Sequence, residues 1–208
     1  MQQRLTSKGA ATRQRIIEGA AAEMRQRGPD VSLDEVREAT RTSKSQLFHY
    51  FPEGRAQLIL AVARHEAEQV LADQQPHLDD LGSWTAWQAW RDLVVERYRR
   101  QGRHCPLSVL LAQLSPDDDG ARGIVLDLYE RWQGSMAAGV ERMQDSGLMT
   151  RDLSAAGAAR ALLAAIQGGV VILLATGGAE HLETALDLVL DRLRPADRPA
   201  VHHASGVG

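Results

Sequence analysis

Apolar residues recur along this chain three or four positions apart, the spacing of an α-helix, and no segment alternates like a β-strand. This pattern predicts an all-α fold. The predicted helices, about nine in number, cover approximately Thr12–Arg27, Leu33–Thr40, Lys44–Tyr50, Arg55–Gln75, Ser83–Gln101, Leu107–Leu114, Ala121–Asp145, Ser154–Ala175 and His181–Arg194.

The lengths of these helices divide the chain into a small head and a larger body. We expect a three-helix head over residues 1–54, and the helix over residues 55–75 is long enough to connect it to a separate body. The body, residues 76–194, is predicted to be a helical bundle. Residues 195–208 are predicted to be a disordered tail, because they hold mainly Pro, Gly, Ala and His with no apolar pattern.

Two helix starts follow each other closely within the head. Each is a capping box, a Ser followed three residues later by Glu or Gln: Ser32 with Glu35, and Ser43 with Gln46. The polar turn Thr40-Arg41-Thr42 joins the two short helices. This arrangement predicts a helix-turn-helix, a motif whose second helix enters the major groove of DNA.

The charge of the chain is distributed unevenly. Residues 1–51 carry a formal charge of +3 and the rest of the chain carries −6, so the whole chain carries −3. A mildly basic head on an acidic body is consistent with a head that binds DNA and a body that stays off the phosphates.

Several other classes of protein are disfavoured by composition. A single cysteine, Cys105, excludes an intramolecular disulfide framework and a zinc site built of thiolates, and no other metal motif is found. The basic N-terminus lacks the apolar run of a secretory signal. The uncharged stretch Ala161–Ala179 is interrupted by glycines, and its apolar part is shorter than the roughly 20 residues that a bilayer span needs. We therefore expect a buried helix there, no membrane partner and a cytoplasmic protein.

The head resembles the tetracycline-repressor (TetR) family of bacterial regulators. The matching segments are Thr12–Ile17, Gly28, Ser32–Val36 and Ser43–Phe51, in the family's order and spacing. The resemblance implies a homodimeric transcriptional regulator, most often a repressor, with no cofactor and no enzymatic activity. It also implies that a small, largely apolar effector bound in the body controls DNA affinity.

Three positions depart from the family pattern. Arg41 stands in the turn where the family usually has Gly, a residue favoured where the backbone is left-handed, so either Arg41 is mildly strained or the turn is of another type. Phe48 replaces a usual Tyr and so lacks a hydroxyl that bonds phosphate. Arg55 follows Glu53-Gly54 where the family often has a Lys opening the fourth helix, so either Arg55 takes over that phosphate contact or the contact is lost.

The predicted DNA contacts lie around the start of the second helix of the motif. Lys can donate to guanine and Gln can pair with adenine. A head of this size reads only a few base pairs, so two heads on a palindromic operator in double-stranded DNA are needed. The alternatives are that the capping box occupies Gln46 and that His49 or Tyr50 packs in the core. The predicted contacts are Thr42, Ser43, Lys44, Ser45, Gln46, His49, Tyr50 and Arg55.

In the body, aromatic and Met residues with a few amides suit an apolar small-molecule pocket, although the same residues equally suit an ordinary core. The predicted ligand contacts are Trp87, Trp90, Tyr98, Gln113, Tyr129, Trp132, Met136 and Gln167. Small and apolar residues on the last two helices predict a dimer contact, although part of that surface must be intramolecular core. The predicted dimer residues are Ala161, Ala165, Gly169, Leu186, Val189 and Leu193.

Two competing functions remain open at the level of sequence. One is a small all-α enzyme acting through Cys105 and His104, although adjacent residues rarely form a working pair and no third orienting residue is identified. The other is a DNA-binding dimer whose body binds no ligand.

Overall fold

The computed structural model describes residues 6–28, 30–102 and 119–195. These residues form eight α-helices and no strand, which confirms the predicted all-α fold. The helix predicted at Leu107–Leu114 and the tail beyond Pro195 lie outside the described residues. The helices are α1 (Ser7–Arg27), α2 (Leu33–Ala39), α3 (Lys44–Tyr50), α4 (Arg55–Ala72), α5 (Trp84–Gln101), α6 (Asp119–Asp145), α7 (Ala155–Thr176) and α8 (Glu180–Arg192).

Side-chain caps fix where several of these helices begin. Helix α1 begins at Ser7, earlier than the expected Thr12, because the Thr6 hydroxyl accepts a hydrogen bond from the Gly9 N–H at 3.2 Å. Ser83 and Ser154 cap α5 and α7 in the same way. These caps satisfy backbone donors that the first turn of a helix leaves without partners.

Helix α4 belongs to two hydrophobic cores. Its first half contributes Leu58, Ala61 and Val62 to the core of the head, together with buried residues of α1, α2 and α3. From Ala63 onward its buried residues, such as Val70, belong to the core of the body. The helix ends at Ala72, three residues before the expected Gln75, and leads into a turn. A movement of α4 therefore acts on both cores.

The body is built of α5 to α8 and the second half of α4. Helix α6 packs against α4 and α7, and α8 packs against α7 and α5. Helix α7 and α8 approach closely at Gly169, where an added Cβ would lie 2.5 Å from the Cα of Leu182. This absence of a side chain sets the distance between the two helices.

Helix α7 is also the one helix, within the described ranges, that is long and apolar enough to cross a membrane by length and composition. It lies between α6 and α8, and 44% of its most apolar stretch is buried. The expectation of a helix packed within the body agrees with this placement.

Candidate nucleic-acid interface

Both capping boxes of the predicted helix-turn-helix are formed. The Ser32 hydroxyl accepts from the Glu35 N–H at 3.2 Å, and the Glu35 carboxylate accepts from the Ser32 N–H at 2.8 Å. The Ser43 hydroxyl likewise accepts from the Gln46 N–H at 3.2 Å, and the Gln46 amide oxygen accepts from the Ser43 N–H at 3.3 Å. The backbone and hydroxyl of Ser32 lower the pKa of Glu35, with a smaller contribution from Arg27. The two helices therefore start where the sequence predicts.

The turn between α2 and α3 is held by two buried threonines. The Thr40 hydroxyl donates to the Val36 carbonyl at 2.7 Å and lies 2.8 Å from the Thr42 hydroxyl. Thr42 is only 4% exposed and its hydroxyl also lies near the Thr40 carbonyl. The predicted DNA contact of Thr42 is therefore not supported, because the turn uses its side chain internally.

Between these threonines Arg41 adopts a left-handed backbone, with φ of 49°. The turn thus keeps the conformation for which the family usually has Gly. A left-handed conformation costs an L residue with a Cβ about 1–2 kcal/mol. Arg41 is exposed and was not among the predicted contacts. The signal in the sequence was the Arg at a position where the resemblance gives Gly.

Helix α3 presents a polar surface to solvent. Ser43, Lys44, Ser45 and Gln46 are exposed, as is His49 one turn further on. The opposite side anchors the helix, since Leu47 and Phe51 are fully buried.

Tyr50 lies between these two sides of α3. It is half-buried, packs on the core of the head and contacts the His49 ring edge-on at 4.9 Å. Phe48, 40% exposed, adds an apolar ring to the exposed surface. The fold thus brings together the predicted contacts of α3, and Tyr50 contributes to packing as well.

Arg55, the predicted contact at the start of α4, is also exposed. Its Nε donates to the Val31 carbonyl at 3.4 Å, which links the start of α4 to the loop before α2.

Most arginines of the head have partners within the head or at its junction with the body. Arg15 donates to the Thr40 carbonyl, Arg25 pairs with Glu66 and Arg37 pairs with Asp34. Arg27 pairs with Glu23 and Glu35, and Arg13 lies 5.2 Å above the Phe51 ring.

In the described part of the head, the cationic side chains with no hydrogen bond, ion pair or ring contact are therefore Lys8, Arg41 and Lys44. Arg41 lies in the turn of the motif, and Lys44 is the first residue of α3.

The aromatic residues predicted to line a ligand pocket form a closed core instead. Trp87, Trp90, Trp132 and Met136 have no exposed surface and Tyr98 is 2% exposed. Periodicity placed these side chains on the inner faces of their helices, but it did not distinguish a lined cavity from close packing.

A glutamine that the sequence did not single out organises this core. The amide oxygen of buried Gln74 accepts from the indole N–H of Trp90 at 2.8 Å and of Trp132 at 3.0 Å. Its amide nitrogen donates to the Val70 carbonyl at 2.8 Å. Gln74 lies two residues after the end of α4, so its hydrogen bonds hold that end of the helix to the body.

Two predicted ligand contacts do meet. The Tyr129 hydroxyl donates to the Gln167 amide oxygen at 3.3 Å, and both residues are half-buried. Burial raises the pKa of Tyr129. The Gln167 amide nitrogen is buried without a hydrogen-bond partner among the described residues. Gln113, the remaining predicted contact, lies outside the described residues, as do His104 and Cys105.

A cavity of about 400 Å³ lies elsewhere, between α4 and α6. Its apolar floor includes Ala67 and Ile124, which are nearly buried, and its rim is charged. None of the predicted ligand residues within the described ranges lines it. The described residues that line it are Arg64, Ala67, Glu68, Asp119, Gly120, Gly123, Ile124, Asp127 and Arg131.

Three of the predicted dimer residues lie inside a single chain. Leu186 and Leu193 are fully buried, and Gly169 lies against Leu182 in the α7–α8 contact. The apolar stripe that suggested a partner subunit therefore faces the neighbouring helix of the same chain. Ala161, Ala165 and Val189 are half-buried.

The exposed apolar side chains of α7 and α8 are different residues. Val171 is 63%, Ile172 38% and Leu188 67% exposed. Leu188 also borders a shallow surface cavity of about 270 Å³ on α8.

The comparisons with known proteins agree with this geometry. Residues 16–62, which span the helix-turn-helix and the part of α4 in the head core, match the sequence model described as bacterial regulatory proteins, tetR family. The head of the chain therefore matches the tetR family, and the resemblance seen in the sequence is confirmed. DNA-binding regulation of transcription is the activity that this family implies.

Solved structures extend the likeness to the fold of the body. A TetR-family regulator from Chloroflexus aurantiacus is 21% identical, with a TM-score of 0.73 over 92% of this chain and 100% of that one. One from Cytophaga hutchinsonii is 17% identical, with a TM-score of 0.73 over 93% and 100%. SmeT in complex with triclosan is 15% identical, with a TM-score of 0.70 over 90% and 93%. The sequence matches none of the curated proteins with which it was compared. At these identities the likeness establishes the fold.

Proposed function

We propose that two copies of this chain form a cytoplasmic homodimer that binds a palindromic operator and represses transcription until a small, largely apolar effector binds the body. The observation that carries the DNA-binding part is the exposed polar surface of α3. Its Lys44 has no intramolecular partner within the described ranges, whereas Arg25 pairs with Glu66 and Arg37 pairs with Asp34. An unpaired cation at the start of the helix that enters the groove is available to base edges or phosphates.

Dimerisation is supported by the exposed apolar side chains of α7 and α8. Val171, Ile172 and Leu188 lie on two helices that pack against each other, and large exposed apolar residues often mark protein contacts. The half-buried Ala161, Ala165 and Val189 are accessible enough to join the same interface. Gly169, Leu186 and Leu193 instead hold α7 and α8 together beneath it.

Control by an effector is supported by the position of the cavity between α4 and α6. Its volume of about 400 Å³ suits a small molecule. It borders α4 at Ala67, within the half of that helix that belongs to the body. A ligand there acts on the helix that also carries Leu58 and Val62 of the head core. Repression is relieved if the ligand favours a spacing of the heads that fits DNA poorly. The triclosan complex of SmeT shows that a protein of similar fold binds a small aromatic molecule.

The DNA-binding proposal is tested by gel shift on the promoter region of the chain's own gene. We expect Lys44→Ala to weaken binding about tenfold, the effect of losing roughly 1.4 kcal/mol. The control is Arg122→Ala, which removes an exposed cation from α6 in the body. Equal affinities of the Lys44 variant and the wild type would remove Lys44 from the interface.

The dimer proposal is tested by measuring the molar mass of the protein in solution. We expect Leu188→Glu to yield monomers with weak operator binding, since a carboxylate cannot be buried unpaired in an apolar contact. Leu126→Glu on α6 is the control, because Leu126 is comparably exposed at 54%. A Leu188 variant that remains dimeric would place the interface elsewhere.

The effector proposal is tested by thermal shift, starting with triclosan as the probe. A ligand that binds the folded state raises the unfolding midpoint. Gly123→Leu places a side chain at the cavity, whereas Gly134→Leu makes the same change away from it on the same helix, and neither added Cβ meets an atom within 4 Å. We expect only the Gly123 variant to lose the shift.

The second candidate function is a DNA-binding dimer without an effector. The closed packing of Trp87, Trp90 and Trp132 favours it, since the expected aromatic pocket is filled. A body that no lipophilic compound stabilises, in a protein that still binds its operator, would support this candidate over effector control.

A further inference from the structure

Arg41 combines an unfavourable backbone with an unused side chain. Its φ of 49° makes it the only non-glycine residue with a positive φ among the described residues. Glycine adopts this conformation without a steric penalty, whereas an arginine does not. Outliers of this kind cluster at functional sites, where the surrounding structure holds them in place.

The surroundings of Arg41 do hold it in place. Thr40 and Thr42 on either side are buried, and their hydroxyls lie 2.8 Å apart. The Arg41 N–H donates to the Glu38 carbonyl at 3.1 Å, and the Thr42 N–H donates to the Arg37 carbonyl at 2.9 Å. These hydrogen bonds fix the turn, so the exposed Arg41 side chain extends from a rigid backbone.

The Arg41 side chain has no hydrogen bond or ion pair within the described ranges, in contrast to Arg15, Arg25, Arg27 and Arg37. It lies three residues before Lys44, at the entry to the helix expected in the groove. A planar guanidinium with five donors suits bonding to a phosphate.

We propose that Arg41 binds a phosphate of the DNA backbone beside the groove that α3 occupies. This inference rests on the proposed DNA-binding function. The contact positions the head on the duplex and adds affinity, but it reads no base.

The test is the salt dependence of binding, measured by fluorescence anisotropy on a duplex selected from genomic fragments with the wild-type protein. Each phosphate contact contributes about 0.9 to the slope of log affinity against log salt. Arg41→Gly in both heads of a dimer is therefore expected to reduce the slope by about 1.8. The ratio of wild-type to variant affinity then falls about twelvefold between roughly 50 and 200 mM salt.

Three further variants separate charge from backbone. Arg41→Asn also tolerates the left-handed conformation and is expected to reduce the slope equally. Arg41→Lys keeps the charge and is expected to retain the slope. Arg122→Gln removes an exposed cation from the body and is expected to leave the slope unchanged. The unfolding midpoint of Arg41→Gly is expected at or above that of the wild type, because the strain is relieved.

An unchanged slope in Arg41→Gly and Arg41→Asn, with wild-type protein that binds the duplex, would overturn the phosphate contact alone. A slope reduced in Arg122→Gln as well would assign the effect to overall charge and overturn it too. Wild-type protein that binds no duplex at low salt would instead remove the proposed DNA-binding function.

Discussion

In the head, the side chains of Arg41 and Lys44 lie exposed and without partners among the described residues, whereas in the body the amide of Gln74 is buried and serves two tryptophans. The head thus leaves polar groups available to a ligand outside the chain. The body uses its polar groups to complete its own packing. Buried polar groups need partners, and an exposed cation does not.

Because of this difference, polar residues of the head indicate function more directly than polar or aromatic residues of the body. At α3 the buried and the exposed side chains lie on opposite sides of the helix. Leu47 and Phe51 anchor the buried side, and the polar residues lie on the other. In the body, a tryptophan on an inner face is compatible with a pocket, a core or an interface. For Trp90 and Trp132 the hydrogen bonds to Gln74 favour the core.

The sharpest test of the closed body is Gln74→Leu. The substitution leaves two buried indole N–H groups without an acceptor, at a cost of about 1–3 kcal/mol each. We expect the free energy of unfolding to fall by about 2–6 kcal/mol, as measured by urea denaturation. The neighbouring Gln75→Leu is the matched control, since Gln75 is exposed and its side chain bonds only to Asp79 among the described residues. Equal stabilities of the two variants would mean that this core is open to water or a ligand.

A second test concerns the contact between α7 and α8. An added Cβ at Gly169 meets the Leu182 backbone at 2.5 Å, whereas at Gly168 it meets nothing within 4 Å. We expect Gly169→Ala to destabilise the chain by about 1–3 kcal/mol, the cost of overpacking. Gly168→Ala is expected to stabilise it by up to about 1 kcal/mol through helix propensity. Urea denaturation of both variants measures the difference, and a stable Gly169 variant would contradict the close approach.

Much of the fold was predictable because its signals are local. The predicted bounds of α3 agree with the structure, since the Ser43 capping box and Pro52 limit it on both sides. The start of α1 was missed because Thr6 and the residues after it carry no apolar pattern, only a cap. The sharing of α4 between two cores was not predicted, because its apolar stripe is continuous.

The candidate site was predictable only in part, since exposure depends on contacts far apart in sequence. The exposed residues of α3 followed from the motif, but Thr42 was misplaced because its hydroxyl is used within the turn. Leu186 and Leu193 were predicted at a dimer contact, but they are buried within the chain. An apolar stripe that packs on a neighbouring helix has the same sequence pattern as one that packs on a partner chain. Gln74 carries no sequence signal that distinguishes it from Gln75.

A third test addresses the local signals of the head. Ser32→Ala removes the hydroxyl that accepts from the Glu35 N–H, and the loss of such a cap costs about 1 kcal/mol. We expect a loss of this size in the free energy of unfolding. Ser7→Ala, at an exposed serine in the first turn of α1 that does not cap the helix, is expected to have little effect. A Ser32 variant as stable as the Ser7 variant would show that packing alone specifies α2.

The smallest expected effect lies at the junction of head and body, where Glu66 is 4% exposed and pairs with Arg25. Burial raises the pKa of Glu66 and outweighs Arg25, His65 and Arg97, which lower it. A carboxyl with a raised pKa binds protons more readily when the protein is folded. Its contribution to stability is therefore complete below the ordinary pKa of 4.5 and is lost as the pH rises through the folded value.

Glu66→Gln removes the titrating group while it keeps the size of the side chain. We expect this variant to lose the part of the stability that declines above pH 4.5, as measured by thermal unfolding from that pH to neutrality. At neutral pH its stability is expected within about 1 kcal/mol of the wild type, because Arg25 is 40% exposed and remains solvated without its partner. Glu35→Gln is the opposite control, since the pKa of Glu35 is lowered and its contribution is lost as the pH falls. A Glu66 variant with the same pH profile as the wild type would show that this carboxylate is solvated at the junction. The closed packing of the body would then not extend along α4 as far as Glu66.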